Sequence, residues 1–260
     1  MADKSLNKGA AGLDETTWGH RWGYADTRFV VNPDRSVKVT GHRYAVSGYD
    51  MPGFLPFVEE MLGVQIDLSD VKPERMDKPV PAPALNAAFS TALAAVLAPA
   101  QISTDARERL IHSHGQTTAD EVYQVLYTHL DRVVDMVIYP ETQAQVEALI
   151  VLAAAHDVCL VPYGGGTSVS CALKLPASET RTIVSVDMRR MDAIEWIDRE
   201  NCRACVQAGI TGSHLEERLA AEGFTCGHEP DSVELSTLGG WIATNASGMK
   251  KNRYGNIEDI

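Results

Sequence analysis

Apolar residues follow two different periods in the second half of the chain. The run VVDMVIYP (133–140) predicts a strand that ends at its proline, and VCLVPY (158–163) predicts a second strand. Between them, residues 142–157 predict a helix, because apolar side chains recur at i, i+3, i+4 and i+7 from Val146. Thr142 and Gln145 have the spacing of a capping box. The order strand, helix, strand predicts a β-α-β unit with parallel strands.

Three further strands are predicted downstream, at 182–188, 193–200 and 202–210, and the short link between the last two indicates a hairpin. Residues 213–223 predict a helix that stops at Gly223. A last short helix follows Ser236, which we expect to be its N-cap.

The first half of the chain has weaker patterns. Residues 36–46 resemble a strand, 71–83 carry four prolines and predict an extended linker, and the alanine-rich residues 84–100 predict a packed helix. Residues 103–126 are polar, with helical spacing at their end. We expect residues 1–17, which are polar, to be disordered.

Composition narrows the possible functions. The chain has 260 residues and a formal net charge of −12, which argues against nucleic acid as a partner, because binding phosphate backbones needs clustered Lys and Arg. Five cysteines in no disulfide pattern fit a reducing compartment. The pair Cys202 and Cys205 has no second pair with which to bind zinc, so we expect no metal site.

The second strand of the β-α-β unit leads into three glycines, Gly164 to Gly166, then Thr167 and Ser168. The loop has no lysine of the Walker pattern and does not match G-x-G-x-x-G. Its backbone amides and hydroxyls can still bind a phosphate that takes no part in chemistry, such as the pyrophosphate of a cofactor. A simple turn is the alternative.

A second stretch, residues 227–256, contains Gly239 and Gly240 inside the short helix. Each is less favourable than alanine there by about 0.8–1.0 kcal/mol, so a compensating reason is required. Close approach of a flat ligand is one reason, and packing of the helix against a strand is the other.

Two motifs, PYGGGTSVS (162–170) and PDSVELSTLGGWIATNASG (230–248), resemble the FAD-binding domain of the p-cresol methylhydroxylase and vanillyl-alcohol oxidase superfamily. Within it, GHEPDS (227–232) and SGMKKN (247–252) are similar to the alkyldihydroxyacetonephosphate synthases, also called alkylglycerone-phosphate synthases. The similarity is dense from about Val133 to the end and looser before it.

The resemblance implies an α+β fold. We expect an FAD-binding domain at 131–260, made of a β-α-β subdomain and a mixed-sheet subdomain and truncated at its C-terminus. A mainly helical N-terminal region with a Pro/Ala linker is expected to precede it at 18–130.

The resemblance also implies non-covalent FAD. The residues that match the family's cofactor contacts are Pro162, Tyr163, Gly164, Gly165, Gly166, Thr167, Ser168, Asp231, Ser232, Val233, Glu234, Leu235, Ser236, Thr237, Thr244, Asn245, Ala246 and Ser247. No catalytic residue is expected in this chain, because the family's proposed catalytic groups lie beyond the matched part. His112, His114 and His228 are weighed as site residues, with a packing role as the alternative.

The activity that the resemblance implies belongs to ether-lipid synthesis. The acyl group of acyl-dihydroxyacetone phosphate is exchanged for a fatty alcohol, without net redox change, through an adduct at flavin N5. A homodimer in the full-length enzyme, peripheral membrane association and a peroxisomal or glycosomal location are implied, although no targeting signal is visible. This chain alone is expected to be inactive and to retain FAD weakly. An FAD-dependent dehydrogenase or oxidase of a hydroxy acid or alcohol, and a truncated non-catalytic chain, are the alternatives.

Overall fold

The structure is a computed structural model that describes residues 17–19, 21–70, 72 and 79–260. It divides into two compact units, one within residues 10–74 and the other within 75–260. The predicted disordered N-terminus and most of the predicted linker lie outside the described residues. In the part of the chain that is described, no helix combines the length and apolar character of a membrane span.

The smaller unit is built on a three-stranded antiparallel sheet followed by a helix. Its elements are β1 (Phe29–Val31), β2 (Val37–Val39), β3 (Asp50–Met51) and α1 (Phe54–Leu62). In the central strand β2, Val37 and Val39 are buried on one face, while Lys38 forms an ion pair with Asp50 on β3. Alternation along the pleat therefore sets which face of this sheet is apolar.

The larger unit begins with helices and a four-stranded sheet. These elements are α2 (Ala87–Leu93), β4 (Ile102–Ser103), α3 (Ala106–Ile111), α4 (Ala119–Tyr127), β5 (Met136–Ile138), α5 (Gln143–His156), β6 (Cys159–Tyr163) and β7 (Ile183–Asp187). The sheet order is β4-β5-β7-β6, with β4 antiparallel and the other three parallel. The predicted β-α-β unit is present, with β7 inserted between its two strands.

Helices α2 and α5 cover one face of this sheet. Phe89 and Leu93 from α2 pack with Leu149 from α5 against Met136 and Ile138 of β5. Val137 of β5, between the last two, faces the other side, where Val134 and Ile183 form a second cluster. Residues 87–127 therefore lie in the same compact unit as the β-α-β core, whereas the predicted boundary between regions is at residue 130.

The start of α5 differs in detail from the predicted capping box. Thr142 Oγ1 accepts from the Gln145 amide at 3.2 Å, as expected. The Gln145 side chain does not return the bond to Thr142; its Oε1 accepts from the amide of Glu141 at 2.8 Å. The Gln145 Nε2 lies 3.3 Å from Gln101 Oε1, so a contact with a distant residue explains why the Gln145 side chain does not bond to Thr142.

A second subdomain of the larger unit follows β7. Its elements are β8 (Ile194–Asp198), β9 (Arg203–Val206), α6 (Gly212–Ala221), α7 (Leu238–Thr244) and α8 (Lys251–Tyr254). Strands β8 and β9 form the predicted antiparallel hairpin. Its core contains Ile210, Leu215, Leu219 and Trp241. Gly223 adopts φ +83° just beyond α6, which confirms the predicted stop.

Candidate cofactor-binding site

The glycine loop, residues 164–168, leaves the sheet at the carboxyl end of β6. The parallel strands β5, β7 and β6 end at the same edge, where ligands of open α/β sheets bind. Pro162 has no amide hydrogen, but β6 is an edge strand, so the sheet tolerates it. The sheet topology therefore places the loop at a position suited to a ligand.

The first two glycines of the loop lie against a second segment, Asp231–Thr237. A Cβ atom on Gly165 would overlap the carbonyl oxygen of Leu235, and one on Gly164 would overlap Thr237 Oγ1. The fold thus brings the two sequence motifs into direct contact. Packing within the protein therefore requires glycine at both positions, whether or not a ligand also does.

The amides of the glycine loop have no hydrogen-bond acceptor in the described part of the protein. None of the amide nitrogens of residues 164–169 donates a hydrogen bond to any residue that the structure describes. Ser168 Oγ lies 2.9 Å from Ser170 Oγ, so these two hydroxyls form a hydrogen bond with each other at an exposed position. Gly166 has φ +67°, a conformation that glycine adopts at little cost.

Tyr163 points its side chain into the protein. Its ring lies 4.4 Å from the ring of His112, and its hydroxyl accepts from Gln116 Nε2 at 3.4 Å. Burial raises the pKa of the Tyr163 hydroxyl, so it stays neutral. The Tyr163 side chain packs beneath the loop, where a Cβ atom on Gly166 would lie 2.6 Å from the Tyr163 hydroxyl oxygen.

The second segment is held by hydrogen bonds to α6. The amides of Gly212 and Ser213 donate to the carbonyls of Ser236 and Val233, each at 3.0 Å, which satisfies free amides at the start of that helix. Within the segment, the amides of Leu235 and Ser236 both donate to Ser232 O. Two amides and three carbonyls of the segment are thus used to fix its turn and to hold it against α6.

The helix α7 is capped by a different residue from the one predicted. Thr237 is the N-cap, and its Oγ1 accepts from the Gly240 amide at 3.2 Å. The Ser236 hydroxyl accepts from Trp241 Nε1 at 2.8 Å instead. The prediction for Ser236 was wrong because a buried indole donor competes for its hydroxyl.

The two glycines of α7 have different surroundings. A Cβ atom on Gly239 would lie 2.8 Å from Ala208 Cβ and 2.9 Å from Ala208 O. For Gly240 the nearest atom is Thr237 Oγ1, at 3.2 Å. Packing within the protein therefore explains Gly239, and Gly240 lies on the more open side of the helix.

The third segment, Thr244–Ser247, ends α7. Asn245 adopts the left-handed conformation, φ +54°, as the C-cap, and Thr244 Oγ1 donates to Gly240 O. Ser247 Oγ donates to Asn256 Oδ1 at 2.8 Å. Thr244, Asn245 and Ser247 are exposed, so their remaining polar atoms are accessible to a ligand.

A buried ion-pair cluster beside the loop was missed by sequence reasoning. Asp187, paired with Tyr163 across β6 and β7, accepts hydrogen bonds from His112 Nε2 at 2.9 Å and from Arg189. Burial alone would raise the pKa of Asp187, but the hydrogen bonds from His112 and Arg189 outweigh it and lower the pKa to about 2. An aspartate at the end of the apolar run TIVSVD was the available signal.

The three histidines considered as site residues are all buried. His112 binds Asp187, and His114 Nδ1 lies 2.8 Å from Gly115 O. His228 lies edge-on to Trp241, and burial lowers its pKa. Each of them contacts protein groups, which favours the packing interpretation that the sequence left open.

Comparisons with known proteins agree with this geometry. The model of the FAD binding domain family matches residues 134–260. Alkyldihydroxyacetonephosphate synthase of Caenorhabditis elegans is 43% identical over 239 residues, which are 92% of this chain and 40% of that protein. The synthase of Dictyostelium discoideum is 34% identical over 253 residues, with the same shares of 92% and 40%.

A solved structure of an alkyldihydroxyacetonephosphate synthase is also similar. It matches with a TM-score of 0.81 and 32% identity, and the match covers 93% of this chain and 46% of that one. The chain therefore spans about 40% of the length of the curated relatives that it matches.

Fold and site first define the class of protein: residues 134–260 form an FAD-binding domain, and FAD is its cofactor. Within that class, the chain belongs to the family of the alkyldihydroxyacetonephosphate synthases. The expected α+β fold class, family and cofactor are confirmed.

Proposed function

We propose that the glycine loop binds the pyrophosphate of FAD through its backbone amides. The observation that carries this is the row of amides at residues 164–169, none of which donates to a described residue, at the carboxyl edge of the sheet. A hydrogen bond to an ionised oxygen contributes about 1.5–3 kcal/mol, so a few neutral donors suffice. Arg189 does not need to supply charge, because it is paired with Asp187.

The other two segments complete the proposed site. Asp231–Thr237 contacts the loop directly, and its exposed residue Asp231 is available to the ribose or pyrophosphate. Thr244–Ser247 is proposed to lie alongside the flavin, because its polar side chains are exposed at the end of α7. The open side of that helix at Gly240 lets a flat ring approach the backbone.

For the reaction, we propose exchange of the acyl group of acyl-dihydroxyacetone phosphate for a fatty alcohol, the step that makes the ether bond of ether lipids. Support comes from the synthase relatives at 43% and 34% identity. When bound, FAD supplies the reactive ring of the exchange. The residues of this chain bind and orient it, and no catalytic residue is proposed among them.

Further parts of the proposal concern the whole protein. Since this chain spans 40% of its relatives, we propose that it binds FAD weakly and has no exchange activity by itself. A homodimer, peripheral membrane association and a peroxisomal or glycosomal location are proposed on the family resemblance alone.

Two measurements test the proposed function. Titration of the 260-residue chain with FAD, followed by flavin fluorescence, should show binding that is lost on gel filtration. A protein of the full family length that contains these 260 residues should convert acyl-dihydroxyacetone phosphate and labelled hexadecanol to labelled alkyl-dihydroxyacetone phosphate, with release of the fatty acid. Oxidation of a hydroxy acid with an electron acceptor, and no incorporation of the alcohol, would instead establish an oxidoreductase.

A further inference from the structure

The carbonyl side of the glycine loop faces one short segment, residues 115–118, which we call the clamp. Gln116 provides two of its contacts. Its amide donates to Gly166 O at 2.7 Å, and its side-chain Nε2 donates to Gly165 O at 3.1 Å. Gln116 is buried, with 3% of its surface exposed, so these bonds are shielded from water.

Two threonines continue the contact along the loop. Thr117 Oγ1 donates to Thr167 O at 3.1 Å, and Ser168 O lies 3.4 Å from the hydroxyls of both Thr117 and Thr118. Thr118 is the N-cap of α4, but its side chain makes no capping hydrogen bond. Its hydroxyl is directed to the glycine loop instead of to the helix that it begins.

Gly115 completes the clamp by allowing close approach. A Cβ atom at this position would lie 3.2 Å from Ser168 O and 2.9 Å from Glu121 Oε2. The clamp is thus packed against the loop on one side and tied to α4 on the other. It also lies outside residues 134–260, the part that matches the FAD binding domain family.

The direction of the carbonyls determines the direction of the amides. In a planar trans peptide, the C=O of one residue and the N–H of the next point in opposite directions. Because the carbonyls of residues 165–168 all face the clamp, the amides of residues 166–169 all face away from it. These are amides that donate to no described residue.

We propose that the clamp is a positioning element that holds four successive peptide planes in one orientation, so that the amides of Gly166, Thr167, Ser168 and Val169 form a preorganised anion site. This assigns a role to Gln116, Thr117 and Thr118. The identification of the ligand as the pyrophosphate of FAD rests on the proposed function, whereas the fixed orientation of the loop is independent of it.

The test of orientation uses the 260-residue chain without flavin. Replacing both hydroxyl donors by their isosteres, in the double variant Thr117→Val/Thr118→Val, removes hydrogen bonds and keeps side-chain shape. Because the threonines hold the carbonyls of Thr167 and Ser168, we expect the ¹⁵N order parameters of amides 168 and 169 to fall from about 0.85 to below about 0.6, the range of flexible backbone. Thr128→Val at the other end of α4 is the matched control, because its Oγ1 donates only to Gln124 O.

Unchanged order parameters in the double variant would overturn the clamp. The decisive comparison is with Thr128→Val, which should leave amides 166–169 as rigid as in the parent chain. Gly115→Ala provides a second variant: its added Cβ pushes on Ser168 O, and we expect chemical-shift changes centred on residues 167–169.

Titration with FAD and riboflavin then separates the clamp from the proposed function. If the amides bind a pyrophosphate, loss of preorganisation should lower the affinity for FAD about tenfold. The affinity for riboflavin, which has no phosphate, should fall less than about twofold. If the order parameters fall while FAD affinity is unchanged, the clamp stands and the assignment of the loop to pyrophosphate is overturned. If Gly165→Ala weakens FAD binding while the double variant changes neither the FAD affinity nor the order parameters, the assignment stands and the clamp is refuted.

Discussion

The glycine loop and the second segment touch each other, yet they use their backbones to different extents. Among the residues that the structure describes, the amides of residues 164–169 have no acceptor, whereas the amides of Leu235 and Ser236 donate to Ser232 O. The carbonyls of Val233 and Ser236 are also used, as acceptors for the start of α6. The glycine loop therefore has no amide committed to the described protein, whereas part of the second segment's backbone is committed to its own turn and to the start of α6.

The contact between the loop and the second segment requires glycine at two positions. Gly164 and Gly165 allow the loop to lie directly on the second segment, and their substitution by any larger residue requires the two to separate. Sequence matching alone attributes such glycines to the ligand.

The largest expected effect is on the ion-pair cluster beside the loop. Asp187→Asn removes a buried charge that His112 and Arg189 share, and breaking such a pair costs about 3–5 kcal/mol. Urea denaturation of the chain measures the loss. Asp157→Asn, an exposed carboxylate with a single ion pair, should change stability by less than about 0.5 kcal/mol. Equal losses in the two variants would show that the cluster does not support the loop.

Next in size is the contact between the two motifs. Gly165→Ala introduces a Cβ that overlaps the backbone of Leu235, and we expect a loss of about 3 kcal/mol, the upper part of the range for overpacking. The matched control is Gly53→Ala, where a Cβ meets no atom within 4 Å. Thermal unfolding followed by circular dichroism compares them. A stable Gly165→Ala chain would mean that loop and segment are free to separate.

Acid should lower the free energy of unfolding over the pH range in which Asp187 becomes protonated. The pKa of Asp187 in the folded chain is about 2, below the ordinary 3.8 of an aspartate, so its contribution to stability is present above about pH 4. It is lost as the pH falls from about 4 to about 2, and amounts to about 2 kcal/mol. In the parent chain the urea midpoint should fall as the pH is lowered across this range, and in Asp187→Asn it should change less with pH. An unaltered slope would contradict the assignment.

The smallest effect should separate the two glycines of α7. Gly239→Ala presses on Ala208 and should destabilise the chain by about 1–2 kcal/mol. Gly240→Ala should change stability by less than about 1 kcal/mol, because helix propensity favours alanine and only the Thr237 hydroxyl is near. Flavin titration should give the reverse order, with Gly240→Ala the weaker binder. Equal FAD affinities would remove Gly240 from the proposed site.

Local elements were well predicted because their causes lie within a few residues. The strand before Gly164, the helix that starts at Thr142, the hairpin and the stop at Gly223 follow from apolar period and end residues. Errors arose where a distant group competed for a side chain. Trp241 takes the Ser236 hydroxyl, and Gln101 lies beside the Gln145 amide.

By itself, the sequence determined the family, the flavin cofactor and the two motifs that mark the site, since these depend on residue types at fixed spacing. Tertiary structure decided the rest: β7 between the strands of the β-α-β unit, the Asp187 cluster and the clamp at 115–118. These depend on which distant residues packing brings together. Whether a loop amide is bonded or free is therefore a property of the folded chain, and local spacing does not encode it.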